Sequence, residues 1–403
     1  MTIDTRIDSW RGGPFPHDEV LQEYWRVGKH FVAPSVLQAL ARVRELLRND
    51  AGVRARQRGL LEFLDVALDK HDGSYDYRSY LALPLLAVPY GDAYRGRPEA
   101  AASQRDRLLA LLVTDLLDFE LRALDAQAVP LPQMRADPAL VAKRCRLGLR
   151  ALAPALRRMG RVPDVGEHID ACARAWATCS AVRETMRPEE ALMLRTTMLP
   201  VYTLHDEYLF LRVLQSFETC FSFICTGLEA AIAAVHEGMA DDACACLEQC
   251  DAALQEAAPL FSMMATMRVD AFRVFRQYTE GASAIQSRAY KRLEALCSRP
   301  HPERLDSPGY RSVPELRAQI GDGWHSLQGA CDAAHRSHRL SAGDLAALRR
   351  RMAAFEDRVL AWRKTHHGLA VRMLGPASGT GYTEGTPYLH AVMTERLFAA
   401  PMA

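Results

Sequence analysis

The stretch that decides the fold lies near the C-terminus: Trp362-Arg363-Lys364-Thr365-His366-His367, then Arg372-Met373-Leu374-Gly375, then Gly379-Thr380-Gly381. Upstream of it, Ser341-Ala342-Gly343-Asp344 has the hydroxyl and carboxylate spacing of a capping box. From there apolar residues fall at Leu348, Met352, Phe355, Val359 and Trp362, alternating four and three residues apart. The same rhythm continues through His366, Leu369 or Ala370, and Met373, so one buried stripe of a long helix includes an imidazole. His367 turns away from that stripe. Gly375-Pro376 ends the helix, because proline cannot continue it and glycine tolerates the cap.

A lone histidine on an apolar face is most simply a core residue with satisfied nitrogens. The flanking residues argue for more. Trp-Arg-x-x-His, Arg-Met-Leu-Gly, Gly-Thr-Gly and Gly-x-x-Tyr-Leu, running without a gap from Trp362 to Leu389, resemble the C-terminal signature of the tryptophan 2,3-dioxygenase family. The resemblance implies that His366 is the proximal ligand of a b-type heme iron. Trp362, Arg372, Gly379 and Gly381 fall in the same cofactor-binding signature. Thr380 falls on the threonine that binds the substrate's ammonium or carboxylate.

A second long helix is predicted from Thr203-Leu204-His205-Asp206-Glu207, with Thr203 and Asp206 as a capping box and the carboxylates at the positive end of the dipole. His205 is assigned a capping or structural role. The apolar stripe runs Phe210, Leu214, Phe217, Phe221, Ile224, Leu228, Ala231 and Val235. His-Asp-Glu-x-Leu-Phe, continued by Gln215 and Glu218, resembles the family's second signature. Phe210 takes the place of a phenylalanine that packs on the substrate ring. Leu214 stands where tryptophan dioxygenases carry a histidine facing the indole nitrogen.

The third element is Phe275-Arg276, Gly281-Ala282-Ser283 and Gln286-Ser287. By resemblance Arg276 clamps the substrate carboxylate, for which a guanidinium offers two parallel hydrogen bonds. Phe272, four residues earlier, shares its helical face, and Arg273 reads as a surface arginine. Ser283 joins the substrate side, while the family's Ser-Gly-Phe has become Ser283-Ala284-Ile285, which implies a reshaped pocket. Upstream, Tyr77, Tyr80 and Leu81 match a Tyr-x-x-Tyr-Leu segment that in the family reaches into the neighbouring subunit's substrate pocket.

Elsewhere the chain is less specific. Helical patterns cover 35–47, 58–68, 107–124, 143–159 and 169–185. Asp18-Glu19, Lys70-His71-Asp72 and the basic run Lys143 to Arg150 read as solvated charge. Cys244, Cys246 and Cys250 lack zinc-ligand spacing and read as small apolar residues on a helix. Residues 300–314 read as a loop or insertion, followed by a helix over 316–334.

The composition, 403 residues with 49% hydrophobic and 25% charged, is that of an ordinary globular chain. A net charge of +1 gives no reason to expect nucleic acid or an anionic membrane. No apolar run reaches the roughly 18 residues of a membrane span, and the N-terminus carries no signal-peptide core. Ten cysteines in this length point to a reducing cytoplasm.

The expectation is therefore an all-α bundle of long helices enclosing heme b. A heme-binding core spans 201–403, and extra N-terminal helices with a probable insertion span 1–200. The resemblance implies a homo-oligomer, tetramer or dimer, that inserts oxygen from dioxygen into L-tryptophan or a related indole amino acid to give N-formylkynurenine. Leu214 fits equally a mono-oxygenase or peroxygenase of an aromatic amino-acid derivative. A heme sensor without catalysis is the third reading.

Overall fold

A computed structural model describes residues 2–49, 52, 56–125, 130–164, 169–321, 323–375 and 386–398. Among them the structure is all α, with several short 3-10 turns and one isolated bridge between Gln133 and Leu204.

The central element is the helix His205–Glu237. It packs against the helices Pro98–Leu124, Ala240–Met264, Val269–Phe275, Arg288–Cys297 and Leu327–Arg336. It is long and apolar enough to cross a membrane by length and composition, which corrects the expectation from the sequence. Gln215, Ser216, Glu218, Thr219 and Thr226 interrupt the apolar run without lowering its average enough. Within the most apolar window, 78% of the residues are buried inside the fold, so neighbouring helices cover that surface.

The N-terminal cap of this helix differs from the expected box. Leu204 is the N-cap and makes no side-chain cap bond. Glu207 instead turns back to accept from the amides of Val201 at 2.6 Å and Tyr202 at 3.0 Å. Asp206 faces the Arg144 guanidinium and the Arg268 amide. His205 is fully buried, with Nε2 3.1 Å from Glu120 Oε2 and its ring stacked on Phe119.

The last long helix, Ala342–Leu374, begins with the expected capping box: Ser341 and Asp344 bond each other's amides. Leu348, Met352, Phe355 and Val359 are buried against Ala240–Met264, which packs in turn on Pro138–Arg158. The helix stops at Gly375, whose φ of +60° suits a residue without Cβ. The chain after it is pinned back: Glu356 accepts from the amides of Leu397 and Phe398, and Arg363 donates to the carbonyls of Val392 and Glu395.

The main apolar core draws on residues from Tyr77 to Phe398 and so runs across position 200. A second core joins residues of 7–82 with Leu199. Residues 302–319 form three short helices over a small core of Ala295, Tyr310, Val313, Leu316 and Ile320, rather than a loop. The expected 316–334 helix is two pieces, Pro314–Gln319 and Leu327–Arg336. Cys250 is buried against Gly227, where a Cβ would sit 2.6 Å from its sulfur, so the cysteine stripe serves close helix packing.

Two charge runs are less solvated than their composition suggested. Arg144 is fully buried, bonded to Glu120, Asp206 and Thr266. Lys70 bonds Tyr278 O and Glu280 and lies over the Tyr75 ring, while Asp72 pairs with Arg44.

Candidate functional site

One cavity holds most of the predicted residues. It encloses about 1610 Å³ of atom-free space, mouth included. The central helix gives it Phe210, Leu214, Phe217 and Phe221, spaced at i, i+4, i+7 and i+11 and hence on one face. Phe210 lies 5.8 Å from Phe272 and 5.4 Å from Phe275 between ring centroids. Phe272 and Arg276 share a wall, as their four-residue spacing predicts, whereas Arg273 is exposed.

Arg276 opens a 3-10 turn and is half-buried, and burial lowers its pKa from the usual arginine value. A guanidinium stays charged through such a shift, so the aromatic wall contains a cation. Ser283 lines the same cavity, held by a capping box with Gln286.

Tyr77 and Tyr80 enter from the start of the chain. Asp76 and Ser79 cap their single turn by reciprocal bonds. The side-chain oxygen of Gln286 accepts from both the Tyr77 and the Ser283 amides at 3.1 Å, tying the two segments together. The hydroxyl of Tyr77 donates to Glu218 at 3.1 Å, and that of Tyr80 donates to Glu207 at 3.1 Å. The resemblance placed this segment in a neighbour's pocket; here it lines the cavity of its own chain.

The last helix contributes Trp362, His366, Leu369 and Met373. The His366 ring lies 5.2 Å from the Trp362 ring and 6.4 Å from Phe261. Burial, helped by the neighbouring His367, lowers its pKa to about 4. The imidazole is therefore neutral near pH 7, the form that offers a lone pair to a metal. Arg372, by contrast, is exposed and outside the cavity, because Met373 takes the inward position next to it. Gly379, Thr380 and Gly381 lie outside the described residues.

The cavity also has a polar end that no sequence motif marks. Arg363 donates to the Tyr290 hydroxyl and to Glu294, both at 2.7 Å. Lys291 and Arg304 share the same Glu294 carboxylate at 3.2 Å. Burial would raise the pKa of Glu294, but Lys291, Arg304 and Arg363 bring it down to about 2. Three cations thus surround one buried anion. Among the described residues the hydroxyl of Tyr388 and Nε1 of Trp362 are buried without a partner. The available signal was spacing: Tyr290, Lys291 and Glu294 at i, i+1 and i+4, beside an arginine three residues before His366.

No protein-family model matches the chain. It is similar to a protein named tryptophan 2,3-dioxygenase from Anaeromyxobacter dehalogenans, 26% identical over 223 residues, covering 47% of this chain and 82% of that protein. A protein of the same name from Burkholderia pseudomallei is 24% identical over 228 residues, covering 48% of this chain and 74% of that one. The relationship to tryptophan 2,3-dioxygenases is a distant one.

Proposed function

We propose that the chain is a heme-dependent oxygenase, a divergent relative of the tryptophan 2,3-dioxygenases, acting on L-tryptophan or a related indole amino acid. The observation that carries this reading is His366: a neutral imidazole in a wall of the same aromatic cavity that holds the Arg276 cation. The distant similarity to named dioxygenases supports an enzyme rather than a passive binder.

The residues present fit a b-type heme. His366 would hold its iron through the imidazole. The unfilled donors of Trp362 and Tyr388, with the Lys291 ammonium, suit carboxylates at the polar end. Bound there, heme would supply the binding and activation of dioxygen, which no side chain can do alone.

The other tasks belong to the chain. Arg276 holds the ligand's carboxylate, where its planar fork matches both oxygens. Phe210 and Phe272 pack on the indole, and the surrounding apolar wall keeps water out. Leu214 offers no proton acceptor, so nothing at that position takes a proton from the indole nitrogen. That feature favours the second reading, insertion of a single oxygen atom into an aromatic amino-acid derivative.

The test begins with His366→Ala, which is expected to abolish heme retention and the Soret band; unchanged heme content would overturn the proposal. For the wild type, the ferrous spectrum should respond to L-tryptophan. A product heavier by two oxygen atoms identifies the dioxygenase, one oxygen atom the mono-oxygenase, and no product with any indole or phenol a sensor.

A further inference from the structure

Glu218 sits one hydrogen bond behind the cavity wall. It is buried on the central helix, and its carboxyl meets two hydroxyls, those of Tyr77 at 3.1 Å and of Ser287. Both residues line the cavity. Among the described residues no cation bonds to it. The Cys225 thiol, two turns along the same helix, is the other titratable group that feels it. Glu207, three turns the other way, is occupied with Val201, Tyr202 and Tyr80.

The chemistry of the pair is set by a count of hydrogens. A phenol has one. When Glu218 is ionised it can only accept, so the Tyr77 hydrogen points back into the helix. When Glu218 holds a proton, its own O–H can donate to the Tyr77 oxygen, and that arrangement frees the phenolic hydrogen to point elsewhere. Tyr77 lines the cavity. Burial without a counter-charge favours the protonated form. The two hydroxyl bonds oppose this, and the pKa settles at about 7.

We propose that Glu218 is a positioning residue that turns the Tyr77 hydroxyl hydrogen into the cavity, so that Tyr77 joins Arg276 in holding the carboxylate of an amino-acid ligand. A carboxylate has about four lone-pair sites, and one guanidinium fills two of them. The inference rests on the reading of the ligand as an aromatic amino acid.

The experiment measures equilibrium binding of L-tryptophan and of tryptamine, which lacks the carboxylate, to the heme-loaded protein at pH 6 and pH 8.5. In the wild type, L-tryptophan affinity should fall roughly threefold to tenfold at the higher pH, the range of one hydrogen bond, while tryptamine affinity should change in parallel with neither pH nor variant. Glu218→Gln, whose amide does not titrate and carries a donor at every pH, should bind L-tryptophan with the same affinity at both pH values. Tyr77→Phe should bind it weakly at both. A flat wild-type profile, or a Glu218→Gln profile that follows the wild type, overturns the proposal.

A second measurement needs no ligand and separates this idea from the proposed function. The infrared difference between the wild type and Glu218→Gln should show a protonated-carboxyl band at pH 6 that is lost by pH 8.5, since Glu207, also protonated at pH 6, contributes to both proteins. Absence of that difference band overturns the role of Glu218 whatever the protein binds. If the band is present and L-tryptophan binds as described, the positioning role stands even where the reaction proves to be another.

Discussion

Arg144 donates to Asp206 at 2.6 Å with neither side chain exposed to solvent. The same guanidinium reaches Glu120 at 2.6 Å and the Thr266 hydroxyl at 3.0 Å, and the second oxygen of Asp206 accepts from the Arg268 amide. Three elements thus meet at one buried cation just before the cavity-forming part of the central helix. Removing one partner of a buried pair leaves the other without compensation. Asp206→Ala is expected to cost about 3–5 kcal/mol in denaturant unfolding. Replacing the ionic group as a whole, with Glu120→Leu, Arg144→Met and Asp206→Leu together, should recover much of that loss. A loss near zero for Asp206→Ala alone would show that the network does not hold these helices.

Glu207 gives a stability term with the opposite sign from an ordinary ion-paired acid. Burial raises its pKa to about 8, against the bonds from Val201, Tyr202 and Tyr80 that favour its charged form. A carboxyl with a raised folded-state pKa contributes stability that is fully present below its unfolded value, about 4.5. That contribution is lost as pH rises through about 8. The wild type should therefore lose stability across that window, and Glu207→Gln should flatten the decline. Denaturation midpoints at half-unit steps from pH 4.5 to 8.5 check this; equal slopes in the two proteins would remove Glu207 as the cause.

The sequence spoke most clearly where the physics is local. Ser341 and Asp344 cap the last helix because both partners of the box lie within one turn. The stripe from Leu348 to Trp362 carries His366 into the cavity for the same reason. It failed where a side chain's partners are far away in the chain. Arg144 sits in a run that reads as solvent-facing, and its carboxylates are 24 and 62 residues distant, on two other helices. Arg363 stood beside the motif histidine, yet its role as a tie to Tyr290, Glu294 and the C-terminal carbonyls needed the packed structure. Thr203 had the right residue type for a cap, but Glu207 reaching backward bound the preceding amides instead. The Tyr77–Tyr80 turn was recognisable by spacing, whereas its place beside the chain's own Glu218 and Glu207 was not.

Gly28 is where the N-terminal unit touches the loop leading into the central helix. Its φ is +83°, and a Cβ there would lie 2.6 Å from the Val201 oxygen and 2.7 Å from the Tyr202 Cα. Those are backbone atoms and cannot rotate aside. The contact also carries the bonds from Lys29 N to Pro200 O and from His30 N to Val201 O. Gly28→Ala is expected to cost at least about 1–3 kcal/mol from the backbone conformation alone, with the clash added. Thermal unfolding measures the loss, and an unchanged melting temperature would mean that the loop moves freely.

Arg276 separates recognition of the head group from recognition of the ring. It is half-buried in a wall otherwise made by Phe210, Phe272 and Phe275, so a carboxylate brought there is held in a poorly hydrated site. Lysine keeps the charge but loses the planar two-bond geometry, and methionine loses both. Arg276→Lys should raise KM for L-tryptophan roughly tenfold, and Arg276→Met further, because charge-assisted hydrogen bonds contribute about 1.5–3 kcal/mol each. Tryptamine, which presents the same ring without a carboxylate, should distinguish the wild type from either variant by less than about twofold. Heme content should be unchanged in both, since Arg276 is not among the residues assigned to the cofactor. Should L-tryptophan and tryptamine weaken equally, the arginine would be supporting the wall rather than binding the carboxylate, and the ligand's head group would have to be sought at the polar end formed by Lys291, Tyr388 and Arg363.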